Sequence, residues 1–251
     1  MTATEVAREV YRRLSLEFPG SERELCALRY QSAFQLLVAT VLSAQTTDAV
    51  VNSVTPELFR RYPDCHSLAE AAQPEVETIV HATGFFRTKA ANVIGLARAL
   101  RDRYGCQVPA SRGELCKLPG VGRKTANVVL SVYFGEPGLP VDTHVARVSS
   151  RLGLTTSASP EGMEAELGAL LLPEQWGLFS LRLILHGRRV CGARRPECGR
   201  CILADLCPGA SLSGVAVQAR SVSQKHLPDP VPGSQNLPNS GVVVLSPWFL
   251  S

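Results

Sequence analysis

The sequence predicts an all-α protein, and three observations carry this prediction. Apolar residues recur at helical spacing over most of the first 207 residues. Residues that commonly cap helices stand at the ends of these runs. No convincing period-two pattern, which would predict a strand, occurs in the same part of the chain. The chain has 251 residues, of which 45% are hydrophobic. A chain of this length can form one large domain or two small ones, and this composition excludes a wholly disordered protein.

The first helix is predicted from Val6, Val10 and Leu14, which lie at positions i, i+4 and i+8. Pro19-Gly20 ends it. The same segment is charged and has no apolar core of the kind that a signal peptide needs. No apolar run reaches the ~18 residues of a membrane span. We therefore expect a cytoplasmic protein without a membrane contact, in a reducing compartment.

The next helices are marked by their ends. Ser32 and Gln35 have capping-box spacing, and the segment AFQLLVATVLSAQ behind them is apolar on nearly all sides, which predicts a central buried helix. The capping-box spacing recurs at Ser67 with Glu70 and at Ser111 with Glu114. Glycines follow four periodic runs, where C-terminal caps are expected: Gly84, Gly105, Gly135 and Gly153.

The composition changes after Cys207. Pro, Ser and Gly supply 18 of the 44 residues in 208–251, which predicts a flexible, disordered tail. Its apolar end, GVVVLSPWFL, could dock onto another surface or remain a loosely ordered terminus.

The formal net charge is +4, which permits a polyanionic partner without requiring one. Only four of the 26 basic residues are lysines. The basic residues concentrate in two segments, 87–124 and 182–200, and the second has six arginines against Glu197 alone. These arginines could offset the charge of a metal cluster or bind DNA phosphates.

Half of the eight cysteines fall in 17 residues with the spacing C-x6-C-x2-C-x5-C: Cys191, Cys198, Cys201 and Cys207. Such density predicts a metal site. Zinc usually takes two C-x2–4-C pairs, and only Cys198 and Cys201 form one, so the spacing favours an iron–sulfur cluster while zinc stays open. No flavin or dinucleotide motif supports a redox enzyme. The other cysteines, Cys26, Cys65, Cys106 and Cys116, are expected to be reduced and mostly buried.

The segment LPGVGRKTANVVL predicts two short helices joined by a tight turn. Gly120 and Gly122 flank Val121 in this turn and let a phosphate approach the backbone. Arg123, Lys124 and Thr125 then open a helix whose free N–H groups form an anion site. This arrangement favours sequence-independent binding of a DNA backbone over an ordinary helical turn.

Lys124 is a candidate nucleophile. The positive end of the helix dipole disfavours a protonated amine at this position, and a nucleophilic lysine has to be uncharged. The alternative is that Lys124 only contacts a phosphate. Asp142, in VDTHV, is a natural N-cap for the helix VARVSSRLG. A lysine and a carboxylate on neighbouring helices suit Schiff-base chemistry.

These motifs, together with LSAQTTD at 42–48 and LILHGRRVC at 183–191, resemble the endonuclease III family of DNA-repair glycosylases in order and separation over about residues 1–207. The resemblance implies a six-helix lobe at 25–136, which carries the helix-hairpin-helix. It also implies a [4Fe-4S] lobe made of 1–24 and 137–207, with damaged double-stranded DNA in the groove between the lobes.

The resemblance also implies the chemistry. Lys124 would attack the sugar, Asp142 would act as carboxylate base and electrostatic support, and β-elimination would cut the strand. The substrates would be oxidised or ring-saturated pyrimidines and abasic sites. A monomer acting on the bacterial nucleoid is expected.

Other residues correspond to family positions around the lesion. Gln45 resembles the gap-filling amide, and Phe85 stands where an aliphatic wedge is usual; the alternative for Phe85 is a core aromatic. Arg87 and Lys89 are either phosphate contacts or solvated charges. His144 is assigned to DNA binding, with a structural role as the alternative, and His186 to support of the cluster loop.

Two other functions compete with this interpretation. A monofunctional adenine-mismatch glycosylase would share the hairpin, the aspartate and the cysteines, but typically lacks a lysine at position 124 and has a further C-terminal domain. A non-catalytic DNA-binding module with a structural metal would not need Lys124 and Asp142 together.

Overall fold

The computed structural model describes residues 1–211. Within them the chain forms no strand, only one isolated bridge between Cys191 and Pro196, so the all-α prediction is confirmed. The α-helices are α1 (Ala3–Glu17), α2 (Glu22–Leu25), α3 (Ala33–Leu42), α4 (Asp48–Arg61), α5 (Cys65–Ala69), α6 (Gln73–Val80), α7 (Phe86–Tyr104), α8 (Arg112–Leu115), α9 (Arg123–Val129), α10 (Thr143–Arg151), α11 (Pro160–Leu170), α12 (Trp176–Arg189) and α13 (Pro208–Ser211). A π-helix, Leu130–Phe134, continues α9, and short 3-10 helices lie at His81–Thr83, Pro173–Gln175, Cys198–Arg200 and Ala204–Leu206.

Two hydrophobic cores divide these helices. The first is built from residues between Leu28 and Val132, with the fully buried Leu36 and Leu37 of α3 among them, as the apolar character of that segment predicts. The second joins α1 to residues 139–203, where Leu14 packs in one cluster with Phe179 of α12. The N-terminal helix therefore packs with the C-terminal part of the described chain.

The predicted caps are found at most helix ends. The Ser32 hydroxyl accepts a hydrogen bond from the backbone N–H of Gln35, and α8 begins directly after Ser111, although the Ser111 side chain makes no capping bond. All four predicted C-cap glycines have positive φ angles, between +54° and +69°. The predicted capping box of Ser67 and Glu70 is wrong. The helix α5 already begins at Cys65, and Asp64 is its N-cap, accepting a hydrogen bond from Ser67 N.

The cysteines outside the cluster also differ from the prediction. Cys65, at the start of α5, and Cys106, just after α7, are joined in a disulfide rather than being reduced thiols. The turn at Gly105 brings their Cα atoms to 5.7 Å, although 41 residues separate them in the chain. Cys26 is half-buried, and Cys116 is exposed rather than buried.

The C-terminal prediction is tested only at its beginning. Residues 208–211 were expected to begin a disordered tail but form α13, where Ala210 is buried. The rest of the tail, including GVVVLSPWFL, lies outside the described residues. No helix of the described part is long and apolar enough to cross a membrane.

Candidate DNA-repair site and cysteine centre

The hairpin forms as the sequence predicts, between α8 and α9. Gly120 has φ +74°, and a Cβ atom there would lie 2.9 Å from Cβ of Asn92, so the position requires glycine. Val121 is buried in the first core, and its N–H donates to Leu118 O at 3.1 Å. The Val121 side chain therefore anchors the turn, and the exposed backbone of Gly120 and Gly122 forms its surface.

The start of α9 has no side-chain cap, because Gly122 occupies the N-cap position. The first N–H groups of a helix have no partner within the helix, so those of Arg123, Lys124 and Thr125 point out of this end. The side chain of Lys124 is exposed. The uncapped backbone N–H groups can bind a phosphate of a sugar–phosphate chain, and the exposed amine of Lys124 lies beside them.

Asp142 is the N-cap of α10, as predicted. Its Oδ1 accepts hydrogen bonds from His144 N and Val145 N, both at 2.8 Å. Within residues 1–211 no hydrogen bond or ion pair engages Oδ2, and the residue is half-buried. The same carboxylate therefore orders the helix with one oxygen and keeps the other available.

The segment between α9 and α10 is held close to α9. Asn127 Nδ2 donates to Leu139 O at 3.2 Å, and Ser180 Oγ donates to Pro140 O at 2.5 Å. A Cβ at Gly138 would lie 2.5 Å from Asn127 O, so only glycine permits this approach. These contacts fix the path from the lysine helix to the N-cap of the aspartate helix.

Gln45 and Phe85 share an unusual backbone conformation. Both are exposed and left-handed, with φ +54° and +48°, which non-glycine residues adopt at a cost of roughly 1–2 kcal/mol. Phe85 is 69% exposed directly before α7, so the core-aromatic alternative is wrong. Both side chains project from strained turns, a feature typical of functional positions.

Lys89 fits neither of its two predicted roles. It is only 4% exposed, and its Nζ donates to Thr83 O at 2.7 Å, which ties α7 to the turn that precedes Phe85. Burial lowers the pKa of Lys89. Arg87 is exposed and lies over the ring of Phe86, 5.4 Å from its centroid.

A groove of about 820 Å³ is lined by residues of α4, α10 and α12 and begins next to Gln45, at Thr46. Asp48 of α4 and Arg188 of α12 form an ion pair across it at 2.8 Å, which sequence analysis did not find. His144 also lines the groove; its Nδ1 lies 3.0 Å from Arg147 Nη2, and burial lowers its pKa.

The four cysteines of 191–207 surround one cavity of about 80 Å³. Among residues 1–211 no three Cys, His, Asp or Glu side chains converge on a single-ion position. Burial raises the pKa of the Cys201 thiol to about 11, and the nearby Cys191, Cys207 and Cys198 add to this effect. Four thiols around one cavity are the donor set that an iron–sulfur cluster requires, so the residues fit such a group.

Residues outside the cysteine spacing support this cavity. His186 is buried, with Nε2 3.4 Å from Cys201 Sγ, and burial lowers its pKa to about 4. Arg151, at the end of α10, donates to Cys191 Sγ at 3.2 Å and to Gly192 O at 2.9 Å. The helix that Asp142 caps thus ends on the cysteine loop.

The arginines of 182–200 serve several purposes. Arg182 is buried and donates to Phe18 O at 3.2 Å, so it is a core residue. Arg189 lies over the ring of Phe18, and Arg200 pairs with Glu197. Arg194 and Arg195 are exposed. The basic charge of this segment is therefore partly committed to the fold.

A helical hairpin with an uncapped helix start, a groove lined by α4, α10 and α12 and a four-cysteine cavity are typical of a helix-hairpin-helix DNA-binding protein with an iron–sulfur centre. Residues 38–173 match the model of the HhH-GPD superfamily base excision DNA repair proteins, and residues 191–207 match the iron-sulfur binding domain of endonuclease III. The chain is 50% identical over 208 residues to an endonuclease III of Synechocystis sp., covering 82% of this chain and 94% of that relative.

Solved structures agree with these sequence matches. A non-covalent endonuclease III–DNA complex is 40% identical with a TM-score of 0.79, covering 85% of this chain and 99% of that one. A trapped endonuclease III–DNA covalent intermediate is 41% identical with a TM-score of 0.80, covering 86% and 100%. The chain belongs to the endonuclease III family. It is a DNA-binding glycosylase and AP lyase of base excision repair that uses a Schiff base, and its cofactor is a [4Fe-4S] cluster.

The exposure of Phe85 leads to a testable expectation. Phe85→Ala should lower the rate of base excision from a paired lesion about tenfold, because an inserted side chain offsets part of the cost of unstacking. Cleavage of a preformed abasic site, which has no base to extrude, should change less. Single-turnover rates on the two duplexes measure the difference.

Leu16→Ala is the matched control, because Leu16 is 70% exposed on α1 in the second core's lobe. It should leave both rates unchanged. Equal loss of the two rates in Phe85→Ala would contradict a wedge role.

Proposed function

We propose that this enzyme removes oxidised or ring-saturated pyrimidines from damaged double-stranded DNA, with Lys124 as nucleophile and Asp142 as its carboxylate partner. The observation that carries this proposal is the placement of an exposed lysine at the uncapped start of α9 and of a half-free carboxylate at the start of α10. The contacts of Asn127 and Ser180 hold the connecting segment between them.

In the first step the neutral amine of Lys124 attacks C1′ of the damaged nucleotide. The Nζ–C1′ bond forms as the N-glycosidic bond breaks, and the base leaves with a proton. A proton from solvent then adds to O4′, the C1′–O4′ bond breaks, and the nitrogen lone pair completes a protonated Schiff base with C1′. Loss of a proton from C2′ then expels the 3′ phosphate oxygen, which cuts the strand by β-elimination.

Asp142 supports these steps electrostatically and as a base. Positive charge develops on the sugar as the base departs, and a fixed carboxylate stabilises it. Oδ2 is the oxygen that we assign to this role, because Oδ1 already accepts two backbone hydrogen bonds. Proton transfer by a positioned group of this kind contributes typically about 10²–10⁴-fold.

The damaged base must leave the duplex before Lys124 can reach C1′. We assign Gln45 to the gap that it leaves and Phe85 to the parted stack, since both project from strained, exposed turns. The backbone of Gly120 and Gly122, with Thr125 at the start of α9, binds phosphate. His144 remains a predicted DNA contact, although its ring nitrogen lies close to Arg147. Arg123, also predicted from the sequence to contact DNA, has its guanidinium paired with Glu164.

The lobe boundaries, 25–136 against 1–24 with 137–207, are supported by the two hydrophobic cores, which are built from the same parts of the chain. We propose that the enzyme acts as a monomer on the DNA of the nucleoid, in the cytoplasm and away from the membrane.

Reductive trapping tests the proposed function. Wild-type protein incubated with a duplex containing one oxidised pyrimidine and with borohydride should form a covalent protein–DNA adduct, visible as a gel shift under denaturing conditions. A duplex with an adenine mismatch should yield none. An adduct absent from both duplexes, or present only on the mismatch, would contradict the assigned substrate class.

A further inference from the structure

Both helices of the hairpin are attached to one buried carboxylate that lies far away in the sequence. Glu164 of α11 is 8% exposed. Its Oε2 accepts from Arg123 Nε at 2.7 Å, and its Oε1 accepts from Arg123 Nη2 at 3.0 Å and from Arg112 Nη1 at 2.9 Å. Arg112 is the first residue of α8, and Arg123 is the first residue of α9.

The two ends of this contact belong to different cores. Leu115 of α8 and Ala126 of α9 pack in the first core, whereas Met163 and Leu167 of α11, on either side of Glu164, pack in the second. Carboxylate–guanidinium bonds with two parallel N–H donors fix orientation as well as distance. Glu164 therefore holds the hairpin that carries Lys124 against the core that carries Asp142.

The contact also removes charge from the DNA-binding surface. Arg123 is adjacent to Lys124 and was expected to bind phosphate, but its guanidinium is engaged bidentately by Glu164. If Glu164 lost its charge, it would release the guanidinium groups of Arg123 and Arg112, whose side chains are 46% and 42% exposed. These could then bind phosphate nonspecifically.

We infer that Glu164 is a positioning residue that fixes the catalytic hairpin through Arg112 and Arg123 and so sets the approach of Lys124 to DNA. The inference rests on the proposed function of Lys124. It implies an unusual signature: loss of the Glu164 charge should strengthen binding to undamaged DNA while slowing the chemistry. A variant that had only lost stability would instead bind undamaged DNA more weakly and also react more slowly.

Glu164→Gln tests this inference with two measurements on the complete chain. The single-turnover rate of cleavage at a preformed abasic site, with enzyme saturating, should fall about tenfold, because small misplacements of reacting groups are costly. Affinity for undamaged duplex should rise, and the slope of log K against log salt should steepen by about one for each released guanidinium that gains a phosphate contact, or by about one to two in all.

Glu161→Gln is the matched control, because Glu161 is exposed one turn earlier on the same helix and the substitution removes the same charge. It should leave the cleavage rate unchanged and the salt slope close to that of the wild type. In a double-mutant cycle, Arg123→Gln should slow the wild type but have little further effect on the Glu164→Gln variant.

Should Glu164→Gln fail to fold, Arg112→Gln keeps the inference testable, since Arg112 lies at the surface. It should slow cleavage at least about threefold without steepening the salt slope, because Arg123 stays paired. The inference would be overturned if Glu164→Gln or Arg112→Gln kept both the cleavage rate and the salt slope of the wild type. It would also be overturned if the variant lost affinity for undamaged duplex together with cleavage rate. Failure of the proposed function is recognised separately, by a wild type that cannot be trapped on abasic DNA.

Discussion

The Lys124→Ala variant should form no borohydride-trapped adduct and should cleave abasic DNA at least about 10³-fold more slowly than the wild type. The covalent step needs an amine at the start of α9, and alanine provides none. The expected loss concerns chemistry rather than folding, because Lys124 is exposed and alanine is a good helix former. Trapping on denaturing gels and single-turnover cleavage measure the two effects.

Lys117→Ala is the matched control for this experiment. Lys117 lies in the same hairpin, is exposed, and pairs with Glu114 at 2.7 Å. Its removal deletes one lysine charge from the hairpin but no proposed nucleophile, so trapping should persist. Lys124→Ala should also still bind duplex DNA, because the backbone amides of the hairpin remain. A full yield of adduct from Lys124→Ala would place the nucleophile elsewhere.

Features predicted correctly from the sequence depend on short stretches of chain. The hairpin turn needs Gly120 at a left-handed position, and the start of α10 needs an N-cap such as Asp142; both signals are complete within a few residues. The cysteine spacing likewise predicted a common site because all four thiols lie within 17 residues. Local chemistry of this kind does not depend on how distant segments pack.

Features that were missed depend on distant packing. Glu164 lies 41 residues from Arg123 in the chain, and nothing in either segment indicates that they meet. Cys65 and Cys106 are a similar case. For Lys89 a signal was present: it precedes Val93 and Ala97 by four and eight residues on the buried face of α7. A lysine at the same helical spacing as buried apolar residues is itself expected to be buried, and here the spacing is a better guide to burial than the charge.

The π-helix after α9 shows how backbone geometry can change a correct pattern. Ala126, Val129, Leu130 and Tyr133 lie at positions i, i+3, i+4 and i+7, which would share one face of an α-helix. The first three are buried, but Tyr133 is 39% exposed. A π turn contains more residues than an α turn, so the face that points to the core changes. Val132 is buried instead. The sequence contains no marker for such a turn.

Asp142 has two roles that substitution can separate. An asparagine in its place would keep a side-chain oxygen for the backbone N–H groups of His144 and Val145, and asparagine is among the best N-cap residues. Asp142→Asn should therefore melt near the wild-type temperature but lose its negative charge. We expect its glycosylase rate to fall about 10²–10⁴-fold, with trapping on preformed abasic DNA less affected.

Asp142→Ala removes both roles. Its rate should fall as far as that of the asparagine variant, and the lost cap should cost about 1 kcal/mol, or a melting temperature about 2–4 °C lower. Ser159→Ala is the control for capping alone, because Ser159 caps α11 by accepting from Gly162 N at 3.1 Å. It should show the thermal shift with an unchanged rate. If Asp142→Asn retained the wild-type rate, the carboxylate would serve the helix alone, and the charge that assists Lys124 would have to come from another group.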